Sequence, residues 1–132
     1  MNVLSLFDSM SAGMLALERA GIKVQNYFAS EIDKHAIKVS KANYPDITQL
    51  GDVSKIDVST LPKIDLLIGG PPCQGFSMAG KQVAFDDPRS KLYFEYERIL
   101  KELQVINPNI KFLLENVKMK QDLKWWQKSI AY

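Results

Sequence analysis

Ile64-Asp65-Leu66-Leu67-Ile68-Gly69-Gly70-Pro71-Pro72 is the stretch that decides the fold. An almost unbroken apolar run reads as a strand buried on both faces, and Gly-Gly-Pro-Pro ends it. The run Val3-Leu4-Ser5-Leu6-Phe7 has the same character and ends in Asp8-Ser9-Met10-Ser11. Strands that are continuously apolar, rather than alternating, belong to parallel sheets covered on both sides. The segments between them fit that pattern. Ala12 to Ala20 reads as a helix stopped by Gly21. Asn26 to Ser30 reads as a strand. Asp33 is the candidate N-cap of a helix running to about Ala42, with Ala36, Ile37 and Val39 on its apolar side. Thr48 to Leu50 is a short strand. Ser90 to about Val105 carries Leu92, Tyr93, Tyr96, Ile99, Leu100 and Leu103 at helical spacing. Lys111 to Leu114 is a further strand, and Val117 to Tyr132 reads as a final helix. The alternation predicts a doubly wound α/β fold with a mostly parallel sheet.

Composition bounds the function classes. The 132 residues fit one domain, and 17 Lys and Arg against 15 Asp and Glu give a net charge of +2. With 46% hydrophobic and 24% charged residues, the chain is neither disordered nor fibrous. No apolar run approaches the ~20 residues of a membrane span, so no membrane association is expected. The opening residues lack a basic n-region and meet Asp8 early, which does not resemble a secretion signal. A single cysteine, Cys73, and a single histidine, His35, exclude a disulfide framework and leave no metal site to expect. A reducing, cytoplasmic setting is expected.

In a doubly wound fold, ligands sit beyond the carboxyl ends of the strands. Those ends carry Asp8-Ser9, Glu31, Asp52, Pro72-Cys73 and Glu115-Asn116, so the unusual residues gather on one predicted edge. The loop from Phe7 to Gly13 enters a helix N-terminus, which can hold an anionic group or can be a plain strand–helix turn. Lacking G-x-G-x-x-G, it disfavours a dinucleotide and with it an oxidoreductase. Glu31 stands where such folds bind ribose hydroxyls, or is a solvated carboxylate at a strand end. Asp52 is either an acceptor for an adenine amino group or the cap of the next turn, with Ser54 as the rival cap. Cys73 lies in a long loop, from 71 to 89, that holds three of the six prolines. It is a candidate nucleophile, with Lys81 and Arg89 as nearby cations, or an inert thiol. Glu115 is a candidate proton donor or acceptor, or an exposed strand end. His35 reads as a surface residue. Trp125-Trp126 and the lysines at 118, 120, 124 and 128 read as parts of a terminal amphipathic helix.

Together these residues carry a likeness. Gly70-Pro71-Pro72-Cys73-Gln74-Gly75-Phe76-Ser77, followed by Gly80-Lys81-Gln82 and Asp87-Pro88-Arg89-Ser90 with Leu92, resembles the catalytic motif of DNA cytosine-5 methyltransferases. Leu114-Glu115-Asn116-Val117 resembles that family's second catalytic motif. Leu6-Phe7-Asp8-Ser9-Met10-Ser11-Ala12-Gly13 resembles its cofactor loop. The resemblance runs from Asn2 to about Lys120. It implies a Rossmann-like sheet of the S-adenosylmethionine-dependent methyltransferase type, incomplete on its C-terminal side. It also implies restriction-modification-type DNA methylation, by transfer of a methyl group to carbon 5 of a flipped cytosine.

By likeness, Cys73 adds to carbon 6 while Glu115 engages N3, with Asn116 beside it. Phe7, Asp8, Ser9, Met10 and Ser11 would hold the methionyl part of S-adenosylmethionine. Glu31 with Ile32 would hold the ribose, Asp52 with Val53 the adenine, and Pro71 and Leu92 would complete the wall. Ser9 departs from the pattern, standing where the family's loop has glycine. Residues 1–132 would be the N-terminal portion of the catalytic domain, without the target-recognition domain and the last helix. The partners implied are double-stranded DNA and a complementing C-terminal half, in the cytoplasm or on the nucleoid. The alternative is a non-catalytic fragment that binds S-adenosylmethionine or a partner protein. With the further strands of the family missing, Lys111 to Leu114 would be an open sheet edge under either reading.

Overall fold

The computed structural model describes residues 1–72 and 90–115. Among these, five parallel strands form one sheet in the order β3-β2-β1-β4-β5. The strands are β1 (Asn2–Leu6), β2 (Asn26–Ser30), β3 (Thr48–Gln49), β4 (Leu66–Gly69) and β5 (Lys111–Leu114). The helices are α1 (Ala12–Arg19), α2 (Lys34–Asn43) and α3 (Ser90–Ile106), with two short 3₁₀ turns at Val53–Lys55 and Val58–Thr60. This is the doubly wound sheet expected from the apolar runs. The expected final helix lies outside the described residues.

β1 is central and its side chains are sealed from water on both faces, which is why its sequence does not alternate. Leu4, Leu6 and Leu67 pack against Tyr96, Ile99 and Leu103 of α3 and against Val53 and Val58 of the 3₁₀ turns. Val3, Tyr27 and Ala29 pack on the opposite face with Leu17 of α1 and Ile47. The strand order reverses between β1 and β4, which pair with each other and send their chains to opposite sides. A crevice at the carboxyl ends follows from that reversal.

The helix ends obey local chemistry. α1 closes with Gly21 at φ 70, donating to Glu18, while Ile22 donates back to Leu17. That left-handed closure favours glycine. At the start of α2 the Asp33 carboxylate accepts from the backbone N–H groups of His35 and Ala36, which lowers its pKa below the usual value. His35 is exposed, as expected. The apolar side of α2 differs from expectation. Val39 is 44% exposed and the buried position is Ser40, because the Ser40 hydroxyl joins a polar cluster under α1.

Gly69 sets how closely α3 approaches. A Cβ there would lie 2.7 Å from Cε2 of Tyr96, a ring buried in the core. Arg98 anchors the same helix, bonding Glu95 and Glu102 on α3 and donating to the carbonyls of Val53 and Ile56. β5 is the sheet edge among the described residues, and Leu113 is 59% exposed.

Gly69→Ala should therefore cost about 1–3 kcal/mol in urea unfolding, since neither the strand nor the ring has room to yield. Wild-type stability in that variant would contradict the packing described.

Candidate functional site

Three consecutive strand ends build the site. After β1 the backbone turns through Phe7 (φ 57), Ser9 (φ 54) and Ser11 (φ 67), three non-glycine residues in the left-handed region. Each such residue costs roughly 1–2 kcal/mol, so the surroundings must hold the loop. After β2, Glu31 supplies part of that hold. Its Oε2 accepts from the Ser9 N–H at 2.8 Å, and its Oε1 accepts from the N–H groups of Ile32 and Asp33 at 2.8 and 2.9 Å. After β3, Gly51 turns at φ 75 and its carbonyl accepts from the Ser30 hydroxyl.

Asp52 follows, and its Oδ1 accepts from both the N–H and the hydroxyl of Ser54. Those bonds lower the Asp52 pKa below the usual carboxylate value. Asp52 is thus the cap and Ser54 the residue it holds; Oδ2 has no hydrogen bond among the described residues.

These ends enclose a cavity of about 200 Å³, lined by Phe7, Ser30, Glu31, Ile32, Gly51, Asp52, Val53, Pro72 and Leu92. Six residues singled out in the sequence meet there: Phe7, Glu31, Ile32, Asp52, Val53 and Leu92. Five candidates do not. Pro71 is buried, and Pro72 lines the cavity in its place, because neighbouring residues of an extended segment face opposite ways.

Asp8 and Ser11 do not line the cavity either, since their side chains turn inward beneath the loop. The Asp8 carboxylate accepts from Tyr27 at 2.7 Å and from Ser11 at 2.5 Å. Ser9 and Met10 are exposed and do not line the cavity. Ser30 and Gly51 were missed, although a glycine between a strand and an acid is a legible signal for a positive φ.

Glu115 leaves β5 with its N–H on the Gly69 carbonyl, and a Cβ on Gly70 would sit 3.9 Å from its Oε2. The second carboxyl group therefore lies beside the segment that leads, three residues on, to Cys73. Cys73, Asn116, Lys81 and Arg89 lie outside the described residues, as do the tail tryptophans and lysines. A larger groove of about 480 Å³ opens at the amino ends of β2 and β3, between Glu18 and Tyr44, far from the rim that switch-point geometry favours. No group of metal-ligating side chains occurs among the described residues. No helix among them is long and apolar enough to cross a membrane.

A family model for C-5 cytosine-specific DNA methylase matches residues 1–124. The chain belongs to that family. It is 54% identical over 96 residues to the type II methyltransferase M1.ScrFI of Lactococcus lactis subsp. cremoris, covering 73% of this chain and 23% of that protein. It is 45% identical over 120 residues to the orphan methyltransferase M.SPRI of Bacillus phage SPR, covering 89% and 26%. The chain thus spans about a quarter of the length of these relatives. In fold it is similar to the Dnmt2 methyltransferase of S. pombe, with a TM-score of 0.67 at 22% identity, over 98% of this chain and 39% of that one. It is likewise similar to Spodoptera frugiperda DNMT2, with a TM-score of 0.64 at 24% identity, over 97% and 38%. The Rossmann-like methyltransferase sheet read from the sequence is therefore the fold of this DNA methylase chain.

Ser9→Gly should raise stability by about 0.5–1 kcal/mol in thermal unfolding, because glycine accepts the left-handed φ and the serine hydroxyl makes no bond among the described residues. Ser11→Gly should do the opposite, since it removes a hydroxyl that joins Asp8 to Ser40. Equal signs for the two would contradict this division of roles.

Proposed function

We propose that the chain is the cofactor-binding and nucleophile-bearing part of a DNA cytosine-5 methyltransferase. The observation that carries this reading is the meeting of Glu31, Asp52 and an apolar wall of Phe7, Ile32, Val53 and Leu92 in one cavity at the switch point. The donor set fits S-adenosylmethionine. Glu31 uses three of its roughly four acceptor positions on backbone N–H groups, leaving capacity for a ribose hydroxyl. Asp52 keeps Oδ2 for an amino group. The rings and branched chains suit the faces of a purine. A cavity of about 200 Å³ is small beside the ~300–1,000 Å³ of whole small-molecule sites, so these residues would hold the nucleoside end. When bound, S-adenosylmethionine supplies an electrophilic methyl group.

The protein's own part is to make cytosine carbon 5 nucleophilic. The Cys73 thiolate adds to carbon 6 of a base turned out of the duplex, forming a C–S bond. Glu115 gives a proton to N3, so that the electron pair released from the 5,6 double bond rests on an enamine rather than an anion. The methyl group that S-adenosylmethionine would supply would end on carbon 5; the proton of carbon 5 would leave to a base, the re-formed double bond would expel the thiolate, and N3 would return its proton to Glu115. Asn116 would hold Glu115 in place. DNA contacts and target choice would come from a complementing C-terminal half.

A trapping experiment tests this reading. The chain, supplied with a complementing C-terminal half, S-adenosylmethionine and DNA carrying 5-fluorocytosine, should form a covalent protein–DNA adduct visible by mass spectrometry. Fluorine at carbon 5 cannot leave as a proton does, so the C–S bond persists. Cys73→Ser should form none, and Glu115→Gln should slow trapping about 10²–10⁴-fold. An adduct that persists in Cys73→Ser would remove Cys73 from the chemistry.

A further inference from the structure

Beneath the strained loop lies a buried chain of polar groups that the chemistry above does not use. The Asp8 carboxylate is its centre and is 7% exposed. Oδ1 accepts from the Tyr27 hydroxyl of β2 at 2.7 Å, and Oδ2 accepts from the Ser11 hydroxyl at 2.5 Å. The Ser11 proton is thereby committed to Asp8. The contact of 2.6 Å between Ser11 and Ser40 of α2 can then only run with Ser40 donating. Ser40 accepts in turn from Nε2 of Gln49 on β3 at 3.2 Å. Every proton in the chain points toward Asp8. Bonds aligned in this way polarise one another. Three separate elements therefore converge on the one loop that carries three left-handed residues. Space is reserved for the arrangement, since a Cβ on Gly13 would lie 2.8 Å from the Tyr27 hydroxyl oxygen.

We infer that Tyr27, Ser40 and Gln49 are positioning residues that fix the Phe7–Ser11 loop, through Asp8 and Ser11, in its ligand-ready form before any ligand arrives. The inference rests on the cofactor reading above. None of the three side chains need touch the ligand. Tyr27 and Ser40 act from opposite sides of the Asp8–Ser11 pair in the same bonded chain, so loss of either frees the loop in the same way.

Amide hydrogen exchange on the 132-residue chain, paired with calorimetric titration of S-adenosylhomocysteine, tests this. Tyr27→Phe keeps the ring and removes one donor; Ser40→Ala reaches the loop from another helix and serves if the first variant fails to fold. Each should accelerate exchange at the Ser9 and Ser11 amides on the order of tenfold relative to the core amides of Leu4 and Leu67. Each should weaken analogue binding by a similar factor. A purely structural role would raise exchange at all four amides together and leave affinity per folded molecule unchanged, which overturns the inference. If the wild type binds and both variants keep loop protection and affinity, the inference alone falls. A wild-type chain that does not bind the analogue overturns the cofactor reading and this inference with it.

Discussion

The carboxylate of Asp8 is the constraint on which the site depends. It sits almost out of water at the end of the central strand, and a buried charge is tolerated only when donors surround it. Tyr27 and Ser11 provide those donors, and in doing so they pin the turn that follows β1. The cost of three left-handed residues is met by these bonds together with the Glu31 clamp on the Ser9 N–H. Burial and the neighbouring carboxylate also push the Tyr27 phenol well above its ordinary value, so it stays a donor across the working pH range. The loop is thus tied from below by Asp8 and from the rim by Glu31.

The rest of the sheet delivers the other walls to that rim. Gly69 leaves room for the Tyr96 ring beside β4, so α3 packs close to the strand and Leu92 lines the cavity. Arg98 ties α3 to the 3₁₀ turn whose first residues are held by Asp52. The apolar core and the cavity are thus consequences of the same contacts. Glu115, on the neighbouring strand, reaches the Gly70 backbone by parallel pairing alone.

Much of this could be read in the sequence, for reasons that differ by element. Runs such as Val3 to Leu6 and Leu66 to Ile68 are apolar on both faces, which only an interior parallel strand requires. Gly21 and Asp33 mark helix ends through chemistry local to a few residues. Glu31 and Asp52 could be placed at the rim because a strand end is a position in the chain as well as in space. What the sequence hid depends on contacts between distant elements. Nothing local tells whether Asp8 turns toward the rim or under it; the answer is the Tyr27 hydroxyl, nineteen residues on. Ser40 looks like a surface residue beside Val39, yet it is the buried one because Ser11 needs a partner. The exchange of Pro72 for Pro71 is a single-step change of side that composition cannot register.

The central claim is that the rim cavity is the cofactor site, and backbone-amide chemical-shift mapping tests it most directly. Titrating the labelled chain with S-adenosylhomocysteine should shift the amides of Phe7, Glu31, Ile32, Asp52 and Leu92, and leave those of Glu18, Tyr44 and Ile47 at the opposite edge in place. Shifts confined to Glu18, Tyr44 and Ile47 would put the ligand in the amino-edge groove and contradict the account.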